Sequence, residues 1–181
     1  MNVENGAKQA AELMEIEWSQ AEVTVLGATG SIGSVCARWL VNEVGKLNLV
    51  ARDQNKLNDL VDIIKKETKG AKVMIQDTRQ AMRKADVVVA VSASLEHQIF
   101  PEDLKPGAVV CDVARPRDVS PRVAKERNDV LVIEGGVINV PEGTEFNFDF
   151  GFPPGKSYAC MAETMILALE KRFESYSLGR D

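Results

Sequence analysis

At 181 residues, with 45% apolar and 27% charged side chains, the chain has the make-up of one soluble domain with a proper core. A formal charge of -5 gives no electrostatic reason for binding nucleic acid or an anionic membrane, and no apolar run approaches the roughly 20 residues of a membrane span. The polar, acidic start is not a signal peptide. Cys36, Cys111 and Cys160 lie far apart with no CxxC pair. Together these predict a cytoplasmic protein and argue against a disulfide framework, a metal site or a membrane span.

In chain order, "NGAKQAAELMEIE" predicts a helix with Ala7, Ala10, Ala11 and Met14 on one stripe. Five or six apolar runs follow: "EVTVLG", "KLNLVA", "AKVMI", "ADVVVAV", "AVVCDVA" and "DVLVIEGG". Most are Val-rich and continuous, the mark of parallel strands covered on both faces. Helical patterns at 31–44, 54–67, 78–84, 101–105 and 121–127 separate them. The expected fold class is α/β, a doubly wound, mostly parallel, Rossmann-like sheet with flanking N- and C-terminal helices. After residue 136 comes a loop-rich stretch in which Phe146, Phe148, Phe150 and Phe152 share one face of an extended segment. They predict a strand or flap packed on the domain, or the wall of an apolar pocket. A long final helix follows, with Ser157 as expected N-cap and Gly179 as a stop.

The stretch "VTVLGATGSIGSVCARWL" carries the first chemistry. Gly27, Gly30 and Gly33 sit between a strand and a helix. There a first glycine turns the chain, a second admits a pyrophosphate to the backbone and a third lets helix and sheet pack closely. The helix N-terminus adds free N–H groups. Gly27, Thr29, Gly30, Ser31, Ile32 and Gly33 are therefore candidate cofactor residues. At the end of the second strand, Arg52, with Lys56 one helical turn further on, suits the 2′-phosphate of NADP(H), while Asp53 suits the ribose of NAD(H); the alternative is a solvated charge pair at a helix start. NADP(H) is the expectation and NAD(H) the alternative. Strand-end position adds Ser92, Ala93, Val113, Gly135 and Gly136 near the nicotinamide. Arg115 and Arg117 bind a substrate anion or face solvent.

Cys36, with Ile32, Val35, Trp39 and Leu40 on the apolar face of its helix, and Cys111, inside a strand, read as core. Cys160 stands in the first turn of the last helix, where a thiolate is favoured. On the residues alone it is a nucleophile or a structural side chain. His97, the one histidine, is a proton donor near the nicotinamide or an ordinary surface residue.

The segments "VTVLGATGSIGSVCARWL", "LVARDQNKL", "LVIEGGVI" and "YACMAETMILALEKRFESYSLGRD" resemble the long-chain fatty acyl-(acyl-carrier-protein) reductases, and bacterial relatives labelled predicted amino acid dehydrogenases. The last segment is the most specific, because the family carries its nucleophilic cysteine in the corresponding Ala-Cys-x-Ala-Glu helix. The resemblance implies that Cys160 takes an acyl group from a carrier or coenzyme A thioester and that NADPH reduces it to a fatty aldehyde. It also implies a further domain ahead of a linking helix at 1–20. A dinucleotide-binding domain at 21–136 follows, and 137–181 forms a loop and helix packed on the same domain. "CDVARPRDV" departs from the more glycine-rich turn of that family. Two other readings share the glycine turn: a shikimate- or amino-acid-type dehydrogenase domain, and a non-enzymatic NADP(H)-binding module. An oligomer is compatible with all three.

Overall fold

The computed structural model describes residues 3–68, 72–96, 98–147 and 154–174. Its elements in order are α1 (Val3–Leu13), β1 (Glu22–Leu26), α2 (Ser31–Leu40), β2 (Lys46–Val50), α3 (Gln54–Glu67), β3 (Lys72–Ile75) and α4 (Thr78–Lys84). There follow β4 (Val87–Ala90), β5 (Val109–Asp112), α5 (Pro121–Glu126), β6 (Leu131–Glu134), β7 (Val137–Asn139), β8 (Lys156–Tyr158) and α6 (Ala159–Leu169). Six parallel strands form one sheet in the order β3-β2-β1-β4-β5-β6, the expected doubly wound arrangement. β7 and β8 pair antiparallel as a separate small sheet.

The continuous apolar runs have a direct cause. Val87, Val89, Val109 and Cys111 point into one core layer with Ala7, Cys36, Leu40, Leu57 and Ile64 from α1, α2 and α3. Val88, Ala90 and Val110 point into the opposite layer with Met82 of α4 and Val123 of α5. Each fully buried Leu or Ile contributes about 1.5–3 kcal/mol. One polar ladder crosses β1 and β2. Asn48 Nδ2 donates to Glu22 Oε1 at 2.9 Å, and Thr24 Oγ1 donates to the Ala81 carbonyl at 3.2 Å. A one-residue slip would strand these groups, so they pin the register.

Two helices begin where a side chain caps them. Asp53 Oδ1 accepts from the N–H groups of Asn55 and Lys56, and Asp77 Oδ1 does the same for Arg79 and Gln80. The chain departs from sequence expectation in four places. Ile32 and Val35 are 52% and 59% exposed. The face of α2 turned to the sheet is instead Gly33, Cys36, Ala37 and Leu40, because small residues let the helix lie close. Residues 101–105 form only a 3-10 turn at Pro101–Asp103. Ser157 does not cap α6. It is buried within β8, opposite Ile138, and Tyr158 holds the N-cap position. The final helix runs over Ala159–Leu169, and Gly179 lies outside the described residues, as do His97, Phe148, Phe150 and Phe152.

Candidate active site

β1 delivers the chain to the carboxyl edge of the sheet, where the Gly27 and Ala28 N–H groups donate to the Val50 carbonyl at 2.9 and 3.0 Å. Gly27 has φ +87°, and a Cβ there would stand 2.8 Å from Ser92 Cα and 2.9 Å from Ser92 N. A Cβ on Gly33 would stand 2.3 Å from the Gly27 carbonyl oxygen. Both positions are closed by backbone, so no larger residue fits. Gly30 is different. It is the N-cap of α2, its N–H donates to Gly27 O at 3.0 Å, and a Cβ would meet only Gly27 O, at 3.3 Å. Its bare side is an open cradle above the first N–H groups of the helix. Those groups lack intrahelical partners by geometry, and the helix dipole favours an anion there. Thr29 is half-buried in the turn, and Ser31 and Ile32 are exposed at the helix start.

At the end of β2, Arg52 is exposed and has no hydrogen bond or ion pair among the described residues. Its neighbour Asp53 spends Oδ1 on the cap of α3. The next strand ends fall in one row with the turn. Val91 N–H donates to Leu26 O, Val113 N–H to Ala90 O and Gly135 N–H to Asp112 O, each at 2.9 Å. Ser92, half-buried, and Ala93, exposed, follow β4, while Val113 packs on Gly135, where a Cβ would come within 2.6 Å of Val113 Cγ2. Gly136 has φ +76°.

Arg115 and Arg117 are both exposed, in keeping with the reading that they face solvent, and each has an acidic partner. Both pair with Glu134, Arg115 at 3.5 Å, and the Arg115 guanidinium lies 6.0 Å from the ring centroid of Tyr158. This cluster touches the C-terminal segment just before its cysteine. Cys160 is the second residue of α6 and is exposed, whereas Cys36 and Cys111 are buried as expected. The helix start is tied to the sheet edge by the Ala159 N–H, which donates to Gly136 O at 2.8 Å. The β7–β8 pairs Val137–Tyr158, Ile138–Ser157 and Asn139–Lys156 hold it from the other side. The structure thus brings the glycine turn, Arg52 and the ends of β4 to β6 to one edge and fastens the Cys160 helix to its far end.

One residue escaped the sequence reading. Asp118, at the end of "ARPRD", has no exposed surface, and its carboxyl group receives both the N–H and the Oγ–H of Ser92. A charged residue closing a loop was the available signal; its partner, 26 positions earlier, was not. Among the described residues no helix is long and apolar enough to cross a membrane, and no group of three or more His, Cys, Asp or Glu could hold a metal ion.

Residues 7–134 match the family model for shikimate / quinate 5-dehydrogenases. The chain is 31% identical over 179 residues to the long-chain acyl-[acyl-carrier-protein] reductase of Synechococcus elongatus, covering 95% of this chain and 50% of that protein. It is also 31% identical over 175 residues to the aminotransferase PigE of Serratia sp., covering 95% of this chain and 20% of PigE. The glutamyl-tRNA reductase of Methanopyrus kandleri shares the fold, with a TM-score of 0.59 at 23% identity over 74% of this chain and 34% of that one. The chain spans half or less of each of these proteins. These likenesses set the chain among Rossmann-type nucleotide-binding domains of the dehydrogenase kind.

Proposed function

This chain belongs to the shikimate / quinate 5-dehydrogenase family, and from that premise we propose that it is the cofactor-binding and acyl-accepting part of an NADP(H)-dependent reductase of acyl thioesters. The observation that carries this reading is the tether of Cys160. An exposed thiol at a helix N-terminus is bonded, through Ala159 N–H and Gly136 O, to the strand-end row that begins at the glycine turn. In this reading residues 21–136 hold the dinucleotide, 137–181 complete the same domain and 1–20 link it to a further domain.

The residues fit the cofactor. The open cradle at Gly30, with the N–H groups of Ser31 and Ile32, would receive the pyrophosphate. Arg52, without a partner among the described residues and beside an acid committed to a helix cap, would take the 2′-phosphate of NADP(H). Ser92, Ala93, Val113, Gly135 and Gly136 would border the nicotinamide half. NADPH, when bound, supplies the hydride that reduces a thioester to an aldehyde. The part of Cys160 is to hold the acyl group. Its Sγ bonds to the carbonyl carbon, the carbon–sulfur bond to coenzyme A or an acyl carrier protein breaks, and the carrier leaves as a thiol with the proton. When the aldehyde departs, Sγ recovers a proton and the thiol is restored.

Intact-mass measurement after incubation with a long-chain acyl-CoA tests this directly. A single acyl adduct on the wild type, absent from Cys160→Ser, supports the reading; an adduct that survives in Cys160→Ser refutes it. A second reading has its own support, because the family match ends at residue 134 and leaves out Cys160. In that reading the domain serves a dehydrogenase of hydroxy or amino acids, and Cys160→Ala leaves turnover unchanged.

A further inference from the structure

Asp118 has 0% of its surface exposed, and none of the chemistry above uses it. Burying a carboxyl group is costly unless it is well bonded, and here both carboxyl oxygens accept from Ser92. Asp118 Oδ2 accepts the Ser92 N–H at 3.1 Å and Oδ1 accepts the Ser92 hydroxyl at 2.6 Å. The loop that carries Asp118 is fixed on both sides. Asp112, itself buried, accepts the Ala114 and Val119 N–H groups at 3.1 and 3.0 Å. The Asp118 carbonyl in turn accepts the N–H groups of Gln98 and Ile99 at 2.8 and 3.0 Å. Ser92 is also the backbone against which Gly27 closes. A rigid sequence of contacts therefore runs from Asp112 through Asp118 and Ser92 to the glycine turn.

We propose that Asp118 is a positioning residue which, acting through Ser92, sets the floor of the nicotinamide half of the dinucleotide site. The proposal rests on the dinucleotide reading given above. The sheet order divides such a site at the β1/β4 crossing. One mononucleotide half lies over β1 to β3 and the other over β4 to β6, and Ser92 belongs to the second. Loss of Asp118 should then weaken the nicotinamide half selectively. A merely structural role would weaken both halves alike. Asparagine at 118 keeps the shape but offers one acceptor where Ser92 presents two donors.

The test is calorimetric titration of the 181-residue chain and of Asp118→Asn, Ser92→Ala and the double variant. The probes are NADPH against adenosine 2′,5′-bisphosphate, and NADH against AMP. In Asp118→Asn the dinucleotide should bind about tenfold more weakly, with its adenosine half held within about twofold. The double variant should lose no more than about twofold beyond Asp118→Asn, since two residues acting through one contact are not additive. Unchanged dinucleotide affinity overturns the proposal, and so does an equal loss for both halves or a fully additive double variant. If Asp118→Asn does not fold, Ser92→Ala decides. It keeps the N–H contact, drops only the hydroxyl, and should weaken the dinucleotide about threefold while sparing the adenosine half. A wild type that binds neither dinucleotide overturns the dinucleotide reading itself, and the proposal with it.

Discussion

The glycine turn and the C-terminal helix meet the same edge of the sheet on opposite terms. In the turn, backbone atoms within 3 Å dictate what Gly27 and Gly33 can be. In α6 only Ala162 is buried, and several of the outward residues are apolar: Ile166 is 57% exposed, Leu169 83%, and Phe173 beyond the helix 84%. The turn is held by the main sheet, whereas, among the described residues, α6 is joined to it through the β7–β8 pairs, the hydrogen bond to Gly136 and the Arg115–Tyr158 contact. In the proposed reading, phosphate binding would rest on the geometry of the main sheet itself, and the placement of Cys160 on the smaller β7–β8 sheet.

The largest effect should come from the turn. Gly33→Ala would force a Cβ to 2.3 Å from the Gly27 carbonyl oxygen, so backbone must move. We expect a loss of about 3 kcal/mol in urea unfolding. Gly30→Ala, with its nearest contact at 3.3 Å, should stay within about 1 kcal/mol of the wild type yet lose at least about tenfold in dinucleotide affinity. Equal stability losses at the two sites would show that the third glycine packs no more tightly than the second.

Hydrogen exchange would sharpen the contrast from the other side. Amides of β1, β4 and β5 lie in a sheet buried on both faces. Those of β8 and α6 should open with a population larger by about a hundredfold or more, as expected of a unit with few buried apolar contacts. Uniform protection across both regions would break the comparison.

A smaller and more specific effect concerns cofactor choice. Arg52→Ala should weaken NADPH about tenfold, the worth of one charge-assisted contact, and leave NADH unaltered. Titration of both dinucleotides decides it, and a loss common to both would place Arg52 away from the 2′-phosphate.

What could be read in the sequence follows the range of the forces involved. The spans 54–67 and 78–84 coincide with α3 and α4, because Asp53 and Asp77 cap their helices locally. The parallel sheet covered on both faces follows from Val-rich runs that need helices on either side. Hydrophobicity alone places Ile32 and Val35 inwards, but Gly33, Cys36, Ala37 and Leu40 take that face, the small residues at its start letting the helix approach the sheet closely. Ser157 has the chemistry of a helix cap, yet its pairing with Ile138 depends on a hairpin closed over a long loop. The Glu134 pairings of Arg115 and Arg117 and the Asp118–Ser92 contact are likewise nonlocal. The glycine turn was therefore legible as a motif, while the support beneath it was not.

The smallest expected effect lies in the sheet region and depends on pH. Arg127 donates to the Leu104 carbonyl at 2.7 Å and, through Nε and Nη2, to Asp129 at 2.8 and 2.9 Å. It thereby ties the end of α5 to the approach to β5. The hydrogen bond from Arg127 is the main cause that lowers the Asp129 carboxyl from 3.8 to about 2. The unfolded chain therefore takes up this proton more readily than the folded one. The stability that the pair contributes is complete above about pH 4, falls as the pH drops, and is gone below about pH 2. The pair is half-buried at the surface and partly screened by solvent, so the effect is modest. Asp129→Asn should lower the melting temperature slightly at pH 6 and leave no difference near pH 2, as read by thermal unfolding at both. Exchange in β8 and α6 should not respond, because Arg127 fastens α5 and β5 and leaves the Cys160 hairpin to its own contacts.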